Sequence, residues 1–227
     1  MRYNLNVSSV HMRVFPLDIT WYGHSCFRIV ERGRITVVTD PYADNIGLPP
    51  LKLKADVVTI SHDVPGHNNV DAVKNEVHVI RGPGEYEIGS VFVTGVAMHD
   101  GESATPRPNV AYHIIYDNLS VLHLGDLAHV PKQSLIERLG EVNVLLVPVG
   151  GGMGLTAAAA AEVVALIEPH FIVPMHYEMP DLRIDLEPVD KFLKAMGVSK
   201  AQEADTLKIT ASDLPEQPQV VVLTPQI

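Results

Sequence analysis

The sequence predicts an α/β fold in which sheets pack face to face with helices outside. Three observations carry this. The first half is a succession of short runs rich in β-branched and aromatic residues. The second half alternates helices with apolar strands, and no repeat, linker or low-complexity tract separates the halves. At 227 residues, 46% hydrophobic and 19% charged, the chain has the size and composition of one large core.

Residues 18–30 and 34–39 are expected strands, joined by the turn Glu31-Arg32-Gly33. A short buried strand over 56–60 runs into a polar loop over 61–69. Further strands are expected over 77–80, 86–88, 90–97, 110–116 and 120–124. A helix over 132–139 then precedes a strand over 142–147. A second helix, over 157–167, is capped by Thr156, closed by Pro169 and followed by a strand over 171–174. A last helix over 188–196 stops at Gly197, and strands over 207–210 and 220–223 close the chain. Residues 1–15 are expected to be an irregular extension, with Met12 an alternative start, and 16–227 a single domain.

Several classes are excluded. The longest apolar stretches, such as 142–149, are far short of a bilayer span, and the N-terminus has neither an apolar core nor a small-residue cleavage site. Seventeen Lys and Arg against 27 Asp and Glu give a net charge of −10, the wrong sign for phosphate neutralisation, and no basic cluster is visible. Neither nucleic acid nor membrane is an expected partner. The single cysteine, Cys26, rules out an internal disulfide and suits a reducing cytoplasm. Alone in an apolar strand, it is expected to be a small buried hydrophobe.

The chain has 11 histidines. His78, His113 and His123 fall inside strands, where a hydrogen-bonded structural histidine is the simpler reading. His11 lies in the extension, and His170 stands after a helix whose C-terminal end it can cap. Another set shares one feature: each member follows an apolar strand as it runs into a loop. These are His62 and His67, His99, Asp126 and His176. Sites are assembled at strand ends in layered α/β folds, and four imidazoles with one carboxylate suit a transition metal such as zinc.

Gly23-His24-Ser25, Thr39-Asp40-Pro41 and the Ser-His loop ending His67-Asn68 resemble metallo-β-lactamase-fold hydrolases. The segments 123–129, 145–152 and 173–177 resemble, in order and spacing, the small bacterial branch related to ascorbate-6-phosphate lactonase. The resemblance runs from Ile19 to the C-terminus and implies a four-layer αββα sandwich. It also implies a loop of pattern His-x-His-x-Asp-His serving two metals. His62 matches its first histidine and His67 its third, while His99, Asp126 and His176 match a later histidine, a bridging aspartate and a final histidine. Asp40 is implied as a brace for a ligand histidine.

The departure is that Val64 stands where the second histidine belongs and Gly66 where the aspartate belongs. Neither side chain has a lone pair, and Pro65 restricts the backbone between them. One half of the site would keep His62, His99 and Asp126, and the other His67, His176 and Asp126. The expectation is one divalent metal, zinc first, with manganese or iron as alternatives. Asp126 and His67 are the catalytic pair, acting on an ester, lactone or phosphoester of a small molecule. Two other readings stay open: a non-catalytic binding protein without metal, and a non-haem iron redox protein. His24 and His129 are placed on the site's rim, Asp63 is either a rescue ligand or, the simpler reading, a solvated or hydrogen-bonded loop carboxylate, and Glu85, in what reads first as a turn, could stand near the site without being required. The run 150–154 is either an anion cradle or a tight turn packed on the sheet. A homo-oligomer is compatible with the resemblance, and no feature sets its subunit number.

Overall fold

The structure is a computed structural model that describes residues 15–75, 77–98 and 108–227. The expected extension, apart from Phe15, and the expected ligand His99 lie outside the described residues.

The chain opens with β1 (Leu17–Trp21) and β2 (Phe27–Glu31), so the single strand expected over 18–30 is two. The break is conformational. Gly23 (φ 92) and His24 (φ 50) are both left-handed, and Tyr22 N–H to Cys26 O (2.8 Å) with Cys26 N–H to Gly23 O (3.0 Å) closes a tight turn. The expected turn at 31–34 follows, with Arg34 N–H donating to Glu31 O, and leads into β3 (Thr36–Thr39). Next come β4 (Leu53–Lys54), β5 (Val57–Thr59), β6 (Val73–Lys74), β7 (His78–Ile80), β8 (Gly84–Ile88), β9 (Val91–Ala97), β10 (Val110–Tyr116) and β11 (Leu119–His123). The alternating half contains α1 (Gln133–Ile136), β12 (Val144–Pro148), α2 (Ala157–Ile167), β13 (Phe171–Met175), α3 (Val189–Ala195), β14 (Gln202–Ala204), β15 (Thr206–Ile209) and β16 (Gln219–Leu223). Strands β4, β6 and β14 escape the sequence reading because they are two or three residues long and lack an apolar run.

Two sheets form the body, one in the order β15-β1-β2-β3-β5-β7 and the other β14-β16-β13-β12-β11-β10-β9-β8. With helices outside them this is the αββα sandwich. Every residue of β11, β12 and β13 is buried, as expected of central parallel strands covered on both faces. Helix α2 packs on β12 and α3. Thr156 caps it by accepting Ala159 N–H, and it ends at Glu168 in the left-handed conformation, just before Pro169. Among the described residues no helix is long and apolar enough to cross a membrane.

Two buried tyrosines fasten one sheet to the other. On β10, Tyr112 Oη donates to Ile60 O (2.8 Å), and Tyr116 Oη donates to Ile35 O (2.9 Å) and Ile29 O (3.1 Å), all on the opposite sheet. Cys26 is fully buried, and burial pushes its thiol pKa up, so it is the inert hydrophobe expected.

The parallel strands share an orientation, and their C-terminal ends carry the residues of interest. Asp40 follows β3, the 61–67 loop follows β5, Asp126 follows β11, Gly150 follows β12 and His176 follows β13. Tyr116→Phe is expected to lower unfolding stability by about 1 kcal/mol, because strand carbonyls lose a buried donor. Urea denaturation checks this, and an unchanged midpoint would mean that the tie contributes nothing.

Candidate metal centre

At the floor of the site lies Asp40, fully buried, left-handed at φ 38 and held by three donors. Ser61 N–H reaches its Oδ1 (2.7 Å), while Ser61 Oγ (2.5 Å) and His67 Nδ1 (2.8 Å) reach its Oδ2. Burial raises the carboxyl pKa, and the Ser61 donors and neighbouring imidazoles oppose that rise. His67 Nδ1 therefore carries the proton, and its Nε2 lone pair faces the site. The bracing role expected of Asp40 is thus present in the geometry.

Ser61 orients a second imidazole. Its one hydroxyl proton goes to Asp40, so the oxygen accepts from His62 Nδ1–H at 2.9 Å, leaving His62 Nε2 as the lone-pair nitrogen. The His62 and His67 rings lie 4.1 Å apart between centroids.

His24 stands at the centre rather than on the rim. Its Nε2 is 3.1 Å from His67 Nε2, and its ring lies 4.2 Å from that of His176. The Gly23–Ser25 turn is anchored from several sides. His24 O accepts from Trp21 Nε1 (3.1 Å) and His176 N–H (3.0 Å), and Ser25 O from Thr39 Oγ1 and His123 Nε2 (both 3.0 Å). His123 also accepts Gly125 N–H through Nδ1, which makes it the structural histidine expected.

His176 completes the group. Ligand atoms of His24, His67 and His176 all lie within 4.8 Å of one another, and all three side chains are buried. His176 Nε2 is 3.6 Å from Asp126 Oδ1. Like His24 and Asp40, His176 is left-handed, at φ 52, so three side chains of one site occupy a sparsely populated conformation.

Close packing of backbone explains the glycines. A Cβ on Gly154 would lie 2.4 Å from Asp126 Oδ1, and one on Gly150 would lie 2.3 Å from His176 O. The run 150–154 is therefore a turn packed against the site. Asn109 went unnoticed in the sequence: buried, it accepts Asp126 N–H through Oδ1 (3.0 Å) and donates to Leu124 O (2.9 Å). A lone asparagine before a strand carries no signal of such a role.

The structure brings together His62, His67, Asp126 and His176 around one cavity of about 420 Å³. His129 is half-buried and is not among the cavity's lining residues. Glu85 lies on β8 at the edge of the larger sheet, where it is exposed. Asp63 is exposed, accepts from Asn68 Nδ2 at 2.7 Å and faces Arg81, so it is a loop carboxylate and not a rescue ligand. Val64, in place of a ligand histidine, presents an apolar wall.

Three clustered imidazoles, with the Asp126 carboxylate beside one of them, suit a borderline divalent ion. His24 and His67 are both held well below the ordinary histidine pKa, first by burial and then by neighbouring imidazoles.

The comparisons agree with this architecture. Residues 18–176 match the β-lactamase superfamily domain, and the chain belongs to that superfamily. Within it, the chain belongs to the UPF0173 proteins. It is 30% identical over 184 residues to one from Pyrococcus abyssi, covering 71% of this chain and 83% of the relative. It is 27% identical over 217 residues to a UPF0173 metal-dependent hydrolase of Archaeoglobus fulgidus, covering 80% and 93%. The crystal structure of a candidate zinc-dependent hydrolase of the metallo-β-lactamase superfamily from Thermotoga maritima superimposes with a TM-score of 0.76. That protein is 36% identical, with 91% of this chain and 98% of the other covered.

Histidines whose pKa is lower in the folded state than in the unfolded chain leave the unfolded chain binding more protons below pH about 6.5. Stability of the metal-free protein is therefore complete above that pH and falls as pH drops through it. Urea midpoints measured in chelator from pH 8 to 5 check this. His24→Gln is expected to flatten the decline, and equal slopes in both proteins would show that His24 plays no part.

Proposed function

We propose that this protein is a metal-dependent hydrolase that works with one divalent ion and cleaves an ester, lactone or phosphoester of a small molecule. One observation carries the reading: three buried imidazoles and the Asp126 carboxylate line one cavity of small-molecule size. Membership of a family whose relatives include metal-dependent hydrolases supports it. His67, His176 and Asp126 are the residues that would hold the ion. When bound, such an ion supplies Lewis acidity and makes water acidic enough to ionise near neutral pH.

The chain's own groups supply the rest. Asp40 fixes the tautomer of His67, and Ser61 that of His62, before substrate arrives. Asp126 is the group placed to take the proton of the attacking water and return it to the leaving oxygen. Val64, Met153 and Leu186 give the cavity apolar lining, while Arg183 on the same lining offers a positive charge to an anionic part of the substrate. A cavity of about 420 Å³ has the size of a small-molecule site.

Elemental analysis of tag-free protein purified without chelator is expected to give about one zinc, manganese or iron per chain. Asp126→Ala and His176→Ala are each expected to lose that metal, and to lower hydrolysis of a panel of aryl esters, lactones and phosphodiesters by at least ~100-fold. No bound metal after reconstitution, with no hydrolysis, would establish a non-catalytic binding protein instead. Activity that survives both substitutions would also overturn the reading.

A further inference from the structure

The 61–67 loop has lost two side-chain donors relative to the pattern it resembles, yet the space beside His67 is not empty. His24, from the turn between β1 and β2, fills it. A Cβ built on Gly66 would lie 3.0 Å from His24 Nε2 and 3.5 Å from its Cδ2. Gly66 is not among the left-handed glycines, so its backbone does not require glycine. A side chain there would press on the imidazole of His24, which would have to give way.

We propose that His24 is a metal ligand of this protein, its Nε2 joining His67, His176 and Asp126 in a three-histidine, one-carboxylate site. The proposal rests on the single-ion hydrolase reading above. Its geometry is direct. Two nitrogens held tetrahedrally at about 2 Å from one zinc lie about 3.4 Å apart, and His24 Nε2 and His67 Nε2 are 3.1 Å apart. Asp40 takes the proton side of His67, so the Nε2 facing His24 is a lone-pair donor.

A structural role does not account for His24. His123, the structural histidine of this fold, has both ring nitrogens hydrogen-bonded to backbone. His24 is 1% exposed, its Nδ1 has no hydrogen-bond partner among the described residues, and its Nε2 hydrogen-bonds only the His67 imidazole. The chain also invests in placing it. His24 is left-handed, and its carbonyl is clamped by Trp21 Nε1 and by the backbone N–H of His176, another proposed ligand. The backbone of His24 is thereby tied directly to that of His176.

The test uses the full chain, with Zn²⁺ and Co²⁺ as probes. Affinity is read by competition with a chromophoric chelator, and fold by thermal melting. Wild type is expected to bind one ion. His24→Ala is expected to weaken Zn²⁺ by about 100-fold, and to change the visible spectrum of the Co²⁺ form as the coordination set loses a nitrogen. The double variant His24→Ala/Gly66→Asp is expected to regain at least ~10-fold of that affinity, because removing the imidazole clears space for a carboxylate. X-ray absorption on the Zn²⁺ forms of wild type and His24→Gln adds a count of imidazoles, expected to fall by one in the variant.

If wild type binds, His176→Ala abolishes binding and His24→Ala binds within ~3-fold of wild type, His24 is not a ligand, and the hydrolase reading stands without it. If wild type binds no ion, the hydrolase reading and this proposal fall together. An unchanged imidazole count in His24→Gln overturns the proposal even if His24→Ala does not fold.

Discussion

The buried carboxylate of Asp40 is the interaction on which the site depends. A charge taken wholly out of water is costly unless its oxygens are met by donors, and here Ser61 N–H, Ser61 Oγ and His67 Nδ1 meet them. Those contacts tie the end of β3 to the loop after β5. They fix which nitrogen of His67 holds a proton and, through the Ser61 hydroxyl, which nitrogen of His62 does. The electronic state of the centre is thus set by hydrogen bonds at its floor, away from the mouth where substrate would enter.

A second constraint is steric and comes from backbone packed against side chains. Gly66, Gly150 and Gly154 each stand where a Cβ would press on His24, on the His176 carbonyl or on Asp126. Each glycine gives up a side chain so that a polar group from a distant strand end can occupy the space. In Gly66 this has a chemical consequence: a position that resembles that of a ligand aspartate becomes room for an imidazole from another part of the chain. The conformational cost of the site is concentrated at His24, Asp40 and His176, all left-handed.

The core was legible because periodicity and apolar runs report burial directly. Helix α2 and strand β10 lie where the sequence places them, residue for residue. The run over 18–30 was misleading because β-rich composition on both sides hides a reversal made by only Gly23 and His24. Strand β14 was invisible because its pairing with β16 supplies what its polar sequence does not. The convergence of His62, His67, Asp126 and His176 on one cavity was foreseeable because each follows an apolar strand, a position that marks a strand end in any parallel sheet.

By itself the sequence determined the sandwich, the strand ends that line the cavity and the absence of two donors from the 61–67 loop. Those are properties of residues close together along the chain. Only the tertiary structure decided that His24 stands against His67 across a separation of 43 residues, and that Asn109 aims the Asp126 backbone. It also decided that Asp63 turns to solvent. The reason is that these depend on how β1, β3, β5, β11 and β13 are ordered in two sheets, and on which side chain fills a space once they meet. Neither is encoded in any local pattern.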